Sequence, residues 1–335
     1  MNNLFRLHPR DEALERMNKW GASRQPFVFI INYKQDASFV ELLSDIDPNT
    51  VLYDFNGLTN VEATPPYYTF TQEVQWNPHI ENFSQYETAF RIVQKNLLAG
   101  NSFLTNLTRC IPVDTNLSLQ EIFFRSQALY KLWVRGRFVC FSPEIFVRIK
   151  QGGLISSYPM KGTIHADVPH AAERLIQDSK EAAEHATIVD LIRNDLSMHA
   201  TGVHVNRYRY FDTLATNRGT ILQTSSEIVG QLPSNYRSHL GTILFDMLPA
   251  GSITGAPKQK TMEIIEEAEG YERGFYTGVA GCFDGDNLDS GVLIRFIEEE
   301  ENGQLYFKAG GGITYQSDAR SEYDEVIQKT YVPIY

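Results

Sequence analysis

The sequence predicts an α+β fold. Strand-like and helix-like runs are mixed along it, without the strict alternation that a doubly wound sheet requires. Its 335 residues suffice for one large domain or two modest ones, and a composition 42% hydrophobic and 12% aromatic supplies a substantial core. Phe27-Val28-Phe29-Ile30-Ile31 reads as a buried strand. Val51 to Phe55 reads as another, closed by a turn at Asn56-Gly57. Asn60 to Pro78, which contains Pro65 and Pro66, reads as irregular. It is the best seam between a short N-terminal portion, 1–80, packed on the same domain, and a main region, 81–335. A helix is expected from near Ser84 to Leu98, with Phe90, Val93 and Leu97 on one face and Gly100 as its C-cap. Ala171 to Ala200 is the longest helical pattern, and Asp212 to Gly230 reads as loop, turn and a further helix. Leu248 to Lys258 is a glycine- and hydroxyl-rich turn entering a helix near Pro257, which points Met262, Ile265 and Ala268 inward. Leu293 to Ile297 reads as an apolar strand carrying Arg295. A strand through Phe307 then runs into Gly310-Gly311-Gly312.

Charge and cysteine usage narrow the class. A net charge of −11 speaks against nucleic acid as a partner, because a phosphate backbone needs a basic face. Any small-anion site must then be built locally from cations and backbone N–H groups. Cys110, Cys140 and Cys282 have no paired spacing, which suggests reduced thiols in a cytoplasmic protein and no zinc site. Met1 to Trp20 carries Asp11, Glu12 and Glu15 and reads as neither a signal peptide nor a membrane span, and no later run is apolar enough to cross a bilayer.

Five features carry chemistry. The first is Pro159-Met160-Lys161-Gly162-Thr163, a lone lysine in a segment too turn-rich for a helix interior. Free lysine titrates at about 10.4, so making it half neutral at pH 7 costs roughly 4.6 kcal/mol. Burial or a neighbouring cation can supply that, and the alternative is a surface lysine in a loop. The second is Glu184, which shares a helical stripe with Ile188, Leu191 and Asp195. A carboxylate on such a stripe pairs with an arginine or holds a metal. The third is the Glu322/Glu325 pair, spaced i, i+3. Like charges that close repel unless a cation lies between them, and oxygen-only ligands suit Mg²⁺; the alternative is a solvated helix N-terminus. The fourth is Gly251 to Lys258, which lacks the nucleotide P-loop pattern but offers N–H groups and hydroxyls to a carboxylate. The fifth is Gly310-Gly311-Gly312, where backbone can approach a ligand closely or form a bulge, with Arg295 upstream needing a carboxylate from protein or ligand.

The order of these segments resembles the chorismate-utilising enzymes. It runs from Ser142-Pro143-Glu144 through Pro159 to Thr163, then Glu184 with Val189 to Leu196. Gly251 to Lys258, Arg295, Gly310 to Gly312 and Glu322-Tyr323-Asp324-Glu325 follow, so the resemblance covers residues 81 to 333. It implies two large, mostly antiparallel sheets facing each other with helices outside. It implies a Mg²⁺ held by Glu184, Glu322 and Glu325 and bridging to the ring carboxylate of chorismate. Arg295, Tyr276 and the amides of Gly310, Gly311 and Gly312 would hold the enolpyruvyl carboxylate, while Thr163, Thr254 and Gly255 lie where the family lines its site.

Within that family Lys161 points to a branch. Anthranilate synthases resemble Pro-Ile-Ala-Gly-Thr at this position and lack the amine. Aminodeoxychorismate synthases resemble Pro-Ile-Lys-Gly-Thr, which this chain matches apart from Met160. The resemblance implies attack by Lys161 at C2, loss of the C4 hydroxyl to Glu144 as acid, and ammonia displacing the lysine through C4. The product would be 4-amino-4-deoxychorismate, destined for para-aminobenzoate and folate. Leu104 stands where the water-adding relatives carry a lysine base, so those branches are disfavoured. Leu104, Asn101 and Gln223 also depart from the pattern of the ammonia-using branches. No glutaminase is recognisable, so ammonia is expected from a separate glutamine amidotransferase subunit. Three other readings remain: an anthranilate synthase, a Schiff-base lyase or transaminase using Lys161, or a chorismate-binding protein without turnover.

Overall fold

The computed structural model describes residues 5–61, 73–216 and 219–334. Pro65 and Pro66 of the expected seam lie outside the described residues. The chain opens with α1 (Arg10–Ala22), β1 (Phe27–Ile31), β2 (Ser38–Leu42), β3 (Val51–Phe55) and β4 (Leu58–Thr59). Next come β5 (Trp76–Pro78), α2 (Phe83–Leu98), β6 (Leu104–Thr115), α3 (Leu119–Arg125), β7 (Tyr130–Val134) and β8 (Phe138–Ser142). They lead to β9 (Ile145–Lys150), β10 (Leu154–Ser157), β11 (Met160–His165), α4 (Ala171–Gln177), α5 (Ser179–Ser197), β12 (Thr201–Thr216) and β13 (Gly219–Gln231). The last part is α6 (Leu240–Asp246), α7 (Gly251–Thr254), β14 (Gly255–Ala256), α8 (Lys258–Glu269), β15 (Val279–Phe283), β16 (Leu288–Val292), β17 (Phe296–Glu299), β18 (Leu305–Ile313) and α9 (Ala319–Lys329).

These strands form two nine-stranded sheets. The first runs β11-β13-β10-β9-β16-β15-β1-β2, with β12 also on β13; the second runs β14-β6-β18-β17-β8-β7-β3-β4, with β5 on β6. Alternation along the strands explains why the sheets face each other. In β1, Phe27, Phe29 and Ile31 join a core under α1, α5 and α6, while Val28 and Ile30 join an inner core. In β8, Phe138 and Cys140 enter that inner core, and Val139 and Phe141 pack outward with α2, α3, α8 and α9. A period of two can bury both faces only if each is covered, one by the other sheet and one by helices. The expected α+β arrangement of two antiparallel sheets with helices outside is the observed one.

Two expectations are corrected. The helical pattern from Ala171 to Ala200 is two helices, because Asp178 leaves the helix and accepts the Glu181 N–H as N-cap of α5. Among its described residues, Asp212 to Gly230 contains no helix. It lies in β12 and β13, whose hairpin pairs Asp212 with Gln223 and Tyr210 with Ser225. The run from Thr220 to Val229 is rich in β-branched residues, which favour strand.

Candidate active site

The site forms where the β11 edge of the first sheet meets the β14-β6-β18 edge of the second. Gly162 has φ +74°, and the register against β13 slips between Lys161 and Thr163. Such a bulge re-aims side chains. Lys161 keeps 18% of its exposure, and its Nζ lies 3.4 Å from Oε2 of Glu184 on α5, a side chain 6% exposed. Thr163, beyond the bulge, is exposed. Burial opposes the charge on Lys161, yet the carboxylates of Glu184, Glu181 and Glu325 together hold its ammonium above the ordinary lysine range. The lowering expected of a nucleophilic lysine is therefore reversed, because its neighbours in this state are anions. Glu184 thus has a lysine among its partners.

The glycine run supplies the opposite wall. Gly310, Gly311 and Gly312 lie inside β18, paired with Thr108, Leu107 and Asn106 of β6. A Cβ on Gly311 would stand 3.4 Å from Oε1 of Glu325 and 3.7 Å from Oε2 of Glu322. A Cβ on Gly312 would stand 2.9 Å from Nζ of Lys161, 3.2 Å from Cδ1 of Leu104 and 3.8 Å from Oε2 of Glu184. The bare backbone thus admits side chains from α5, α9, β6 and β11. Glu322 is 2% exposed, so it is no solvated helix end. Glu325 pairs with Lys329 one turn later, and Lys329 Nζ also donates to the Gly310 carbonyl at 3.1 Å. Arg295 sits in the connection before β17 at φ +55°, outside the strand expected for it. Its Nη1 donates to the Lys329 carbonyl at 3.2 Å and its guanidinium lies over the Tyr331 ring; it forms no carboxylate pair among the described residues.

Glu144 lies between β8 and β9 and accepts a hydrogen bond from the Ser252 hydroxyl of α7. Burial raises its carboxyl above the ordinary range, against the Ser252 bond and the charges of Lys161, Lys329 and Arg295. Those three cations place Glu144 in the same electrostatic neighbourhood as Lys161. Thr254 is fully buried. Gly255 acts through its backbone: it has φ +124°, and a Cβ there would come within 1.8 Å of the Leu104 carbonyl oxygen. The pair thereby sets Leu104 against Gly312. Tyr276 is enclosed in the core between the sheets, its ring 5.9 Å from that of Phe296.

The sequence reading missed Glu181, Ser252 and Lys329. Glu181-Ala182-Ala183-Glu184 repeats the i, i+3 spacing of Glu322 and Glu325, and Lys329 follows Glu325 at i+4, so both had a signal. His185 was also missed. It is buried beside Glu184, and its Nε2 lies 2.6 Å from Ser226 Oγ. Among the described residues no three carboxylate, imidazole or thiol groups converge closely enough to hold an ion unaided. The donors at hand are nevertheless carboxylate oxygens from two helices flanking bare backbone. That chemistry suits Mg²⁺, which takes one or two carboxylates and completes its shell with water and substrate oxygen.

Over residues 16–334 the sequence matches the chorismate binding enzyme family. The chain belongs to this family. It is 45% identical over 321 residues to an uncharacterized PabA-like protein of Haemophilus influenzae, covering 96% of each chain. It is 31% identical over 304 residues to aminodeoxychorismate synthase component 1 of Klebsiella aerogenes, covering 87% of this chain and 65% of that one. The crystal structure of anthranilate synthase component I from Streptococcus pneumoniae superposes with a TM-score of 0.63 at 27% identity, covering 77% of this chain and 59% of that one. As in the sequence, no helix among the described residues of this chorismate-binding enzyme is long and apolar enough to cross a membrane.

Proposed function

We propose that the chain is an aminodeoxychorismate synthase component, converting chorismate and ammonia to 4-amino-4-deoxychorismate and water. The observation that carries this reading is Lys161 itself, an amine between Glu184 and the bare backbone of Gly312, beside an apolar Leu104 that cannot activate water. The 31% identity to proteins of that activity supports it. Arg295, Lys329 and the glycine backbone bind the carboxylates of the substrate. The Lys161 ammonium first gives a proton to solvent, the neutral amine then forms a bond to ring carbon C2, the double bonds shift, and the C4–O bond breaks as the Glu144 proton joins the departing oxygen to leave as water. Ammonia then bonds to C4, the double bonds return, and the C2–N bond to Lys161 breaks. Glu184, Glu322 and Glu325 would hold Mg²⁺, whose charge would offset Glu184 and Glu325, two of the carboxylates that keep Lys161 charged, and would favour the substrate's ring carboxylate. A separate amidotransferase supplies the ammonia from glutamine.

The test is intact-mass analysis with chorismate and no ammonia. The wild type is expected to gain the mass of chorismate less one water, localised to Lys161. Lys161→Ala is expected to lose the adduct and the 4-amino product while still binding chorismate. Formation of that product by Lys161→Ala at the wild-type rate would exclude the covalent route.

A further inference from the structure

We infer that Arg273, a buried residue that is not one of the reacting groups, is a positioning residue for the chorismate pocket. Its side chain is 2% exposed and that of its ion-pair partner Glu269 is 1% exposed. A guanidinium has five N–H donors in a rigid fork, and each is engaged here. Nε donates to Glu269 Oε2 at 2.8 Å, and Nη2 to Glu269 Oε1 at 2.6 Å and to the Asn106 carbonyl at 2.7 Å. Nη1 donates to the Ile253 carbonyl at 2.9 Å and to Thr277 Oγ1 at 3.3 Å. The three protein segments it grips all lead to the pocket. Ile253 precedes Thr254 and Gly255, the residues that set Leu104. Asn106 faces Gly312 across the β6-β18 ladder. Thr277 follows Tyr276, has φ +61°, and its hydroxyl donates to the Tyr276 carbonyl at 2.6 Å.

The carboxylate half of the pair extends the clamp by one ladder step. Glu269 Oε1 accepts the Thr108 N–H at 2.7 Å and the Thr108 hydroxyl at 2.8 Å, and Thr108 faces Gly310. One buried ion pair therefore fixes β6 opposite both ends of the triple glycine and ties it to the Thr254-Gly255 turn. Lysine keeps the charge but has three donors on a flexible stem, so it cannot hold Glu269 and three segments together. Arginine at this position sets the distance between Leu104, Gly312 and the Thr254 turn, and through them the fit of the substrate.

The experiment compares wild type, Arg273→Lys and Glu269→Gln by amide hydrogen exchange and by chorismate kinetics. In Arg273→Lys, exchange is expected to quicken in peptides containing residues 104–107, 253–256 and 276–278, with the remaining peptides at wild-type protection. The KM for chorismate is expected to rise about tenfold with kcat changed less than about threefold. A purely structural lesion lowers the active fraction instead, so kcat falls and KM stays. Uniform exchange, unchanged exchange, or local loosening with unchanged KM would each overturn the inference. If Arg273→Lys does not fold, Glu269→Gln decides, with faster exchange at residues 108 and 310 and a raised KM expected. The kinetic arm rests on the chorismate reading. A wild type that neither binds nor consumes chorismate overturns that reading, while the exchange pattern, recorded without substrate, still scores the clamp.

Discussion

At Glu144 burial and cations pull in opposite directions, and burial wins. Its carboxyl titrates above the ordinary range despite Ser252, Lys161, Lys329 and Arg295. A general acid works in its protonated form, so its contribution is present below that raised value and is lost as pH rises through it. In Glu144→Gln, kcat with ammonium should fall by about 10²- to 10⁴-fold, and the loss of rate on the alkaline side that belongs to this group should vanish from the pH profile. An unchanged profile would assign the acid elsewhere. His185 gives a second test at this scale. Burial, then Arg209 and Lys161, depress it from 6.5 to about 4. As pH falls, the unfolded chain binds the proton first, so its share of stability is full above pH 6.5 and is lost down to about pH 4. The melting temperature of the wild type should drop more steeply across that window than that of His185→Gln.

At the scale of elements, the glycines separate backbone packing from site geometry. Gly255→Ala would drive a Cβ against the Leu104 carbonyl at positive φ, and should cost several kcal/mol or prevent folding. Gly312→Ala meets mainly the flexible end of Lys161, which can retreat. Melting should shift by only a few degrees in Gly312→Ala, whereas kcat should fall by at least about tenfold as the amine is displaced. Equal melting losses in the two variants would contradict this division of roles.

The same scale shows what was legible in the sequence. The strand Phe27–Ile31, the helix Phe83–Leu98 and the helix after Pro257 were readable because their periodicity and caps are local. The α4/α5 break was missed because helical periodicity continues across Asp178, although Asp178 with Glu181 three residues later carries the N-cap pattern in the sequence. The β12-β13 hairpin was misread because polar Gln223, Ser225, Ser226 and Glu227 interrupt the apolar alternation, although the β-branched residues around them favour strand. Glu184, Glu322 and Lys161 could be named from motif order. The lysine's raised titration could not, since it depends on three carboxylates brought in by two helices far apart in the sequence.

For the whole molecule the central problem is charge. A dianionic substrate entering a −11 protein has to find cations locally, and Arg295, Lys329 and Lys161 lie at the seam between the sheets. The proposed Mg²⁺ would add one more cation among the carboxylates around them. Glu322→Gln, or excess chelator on the wild type, should abolish Mg²⁺-supported turnover while circular dichroism stays native; full activity in chelator would remove the metal from the mechanism. The isolated chain should also turn over with ammonium salts and faster as pH rises and NH₃ becomes available, and should give nothing with glutamine until an amidotransferase is added. Glutamine-dependent turnover by the single chain would contradict that. The most direct measurement is chromatographic identification of the product from chorismate, ammonium and Mg²⁺ with the purified chain. The expected product is 4-amino-4-deoxychorismate. Anthranilate or isochorismate as the main product, or chorismate left unconsumed, would contradict it.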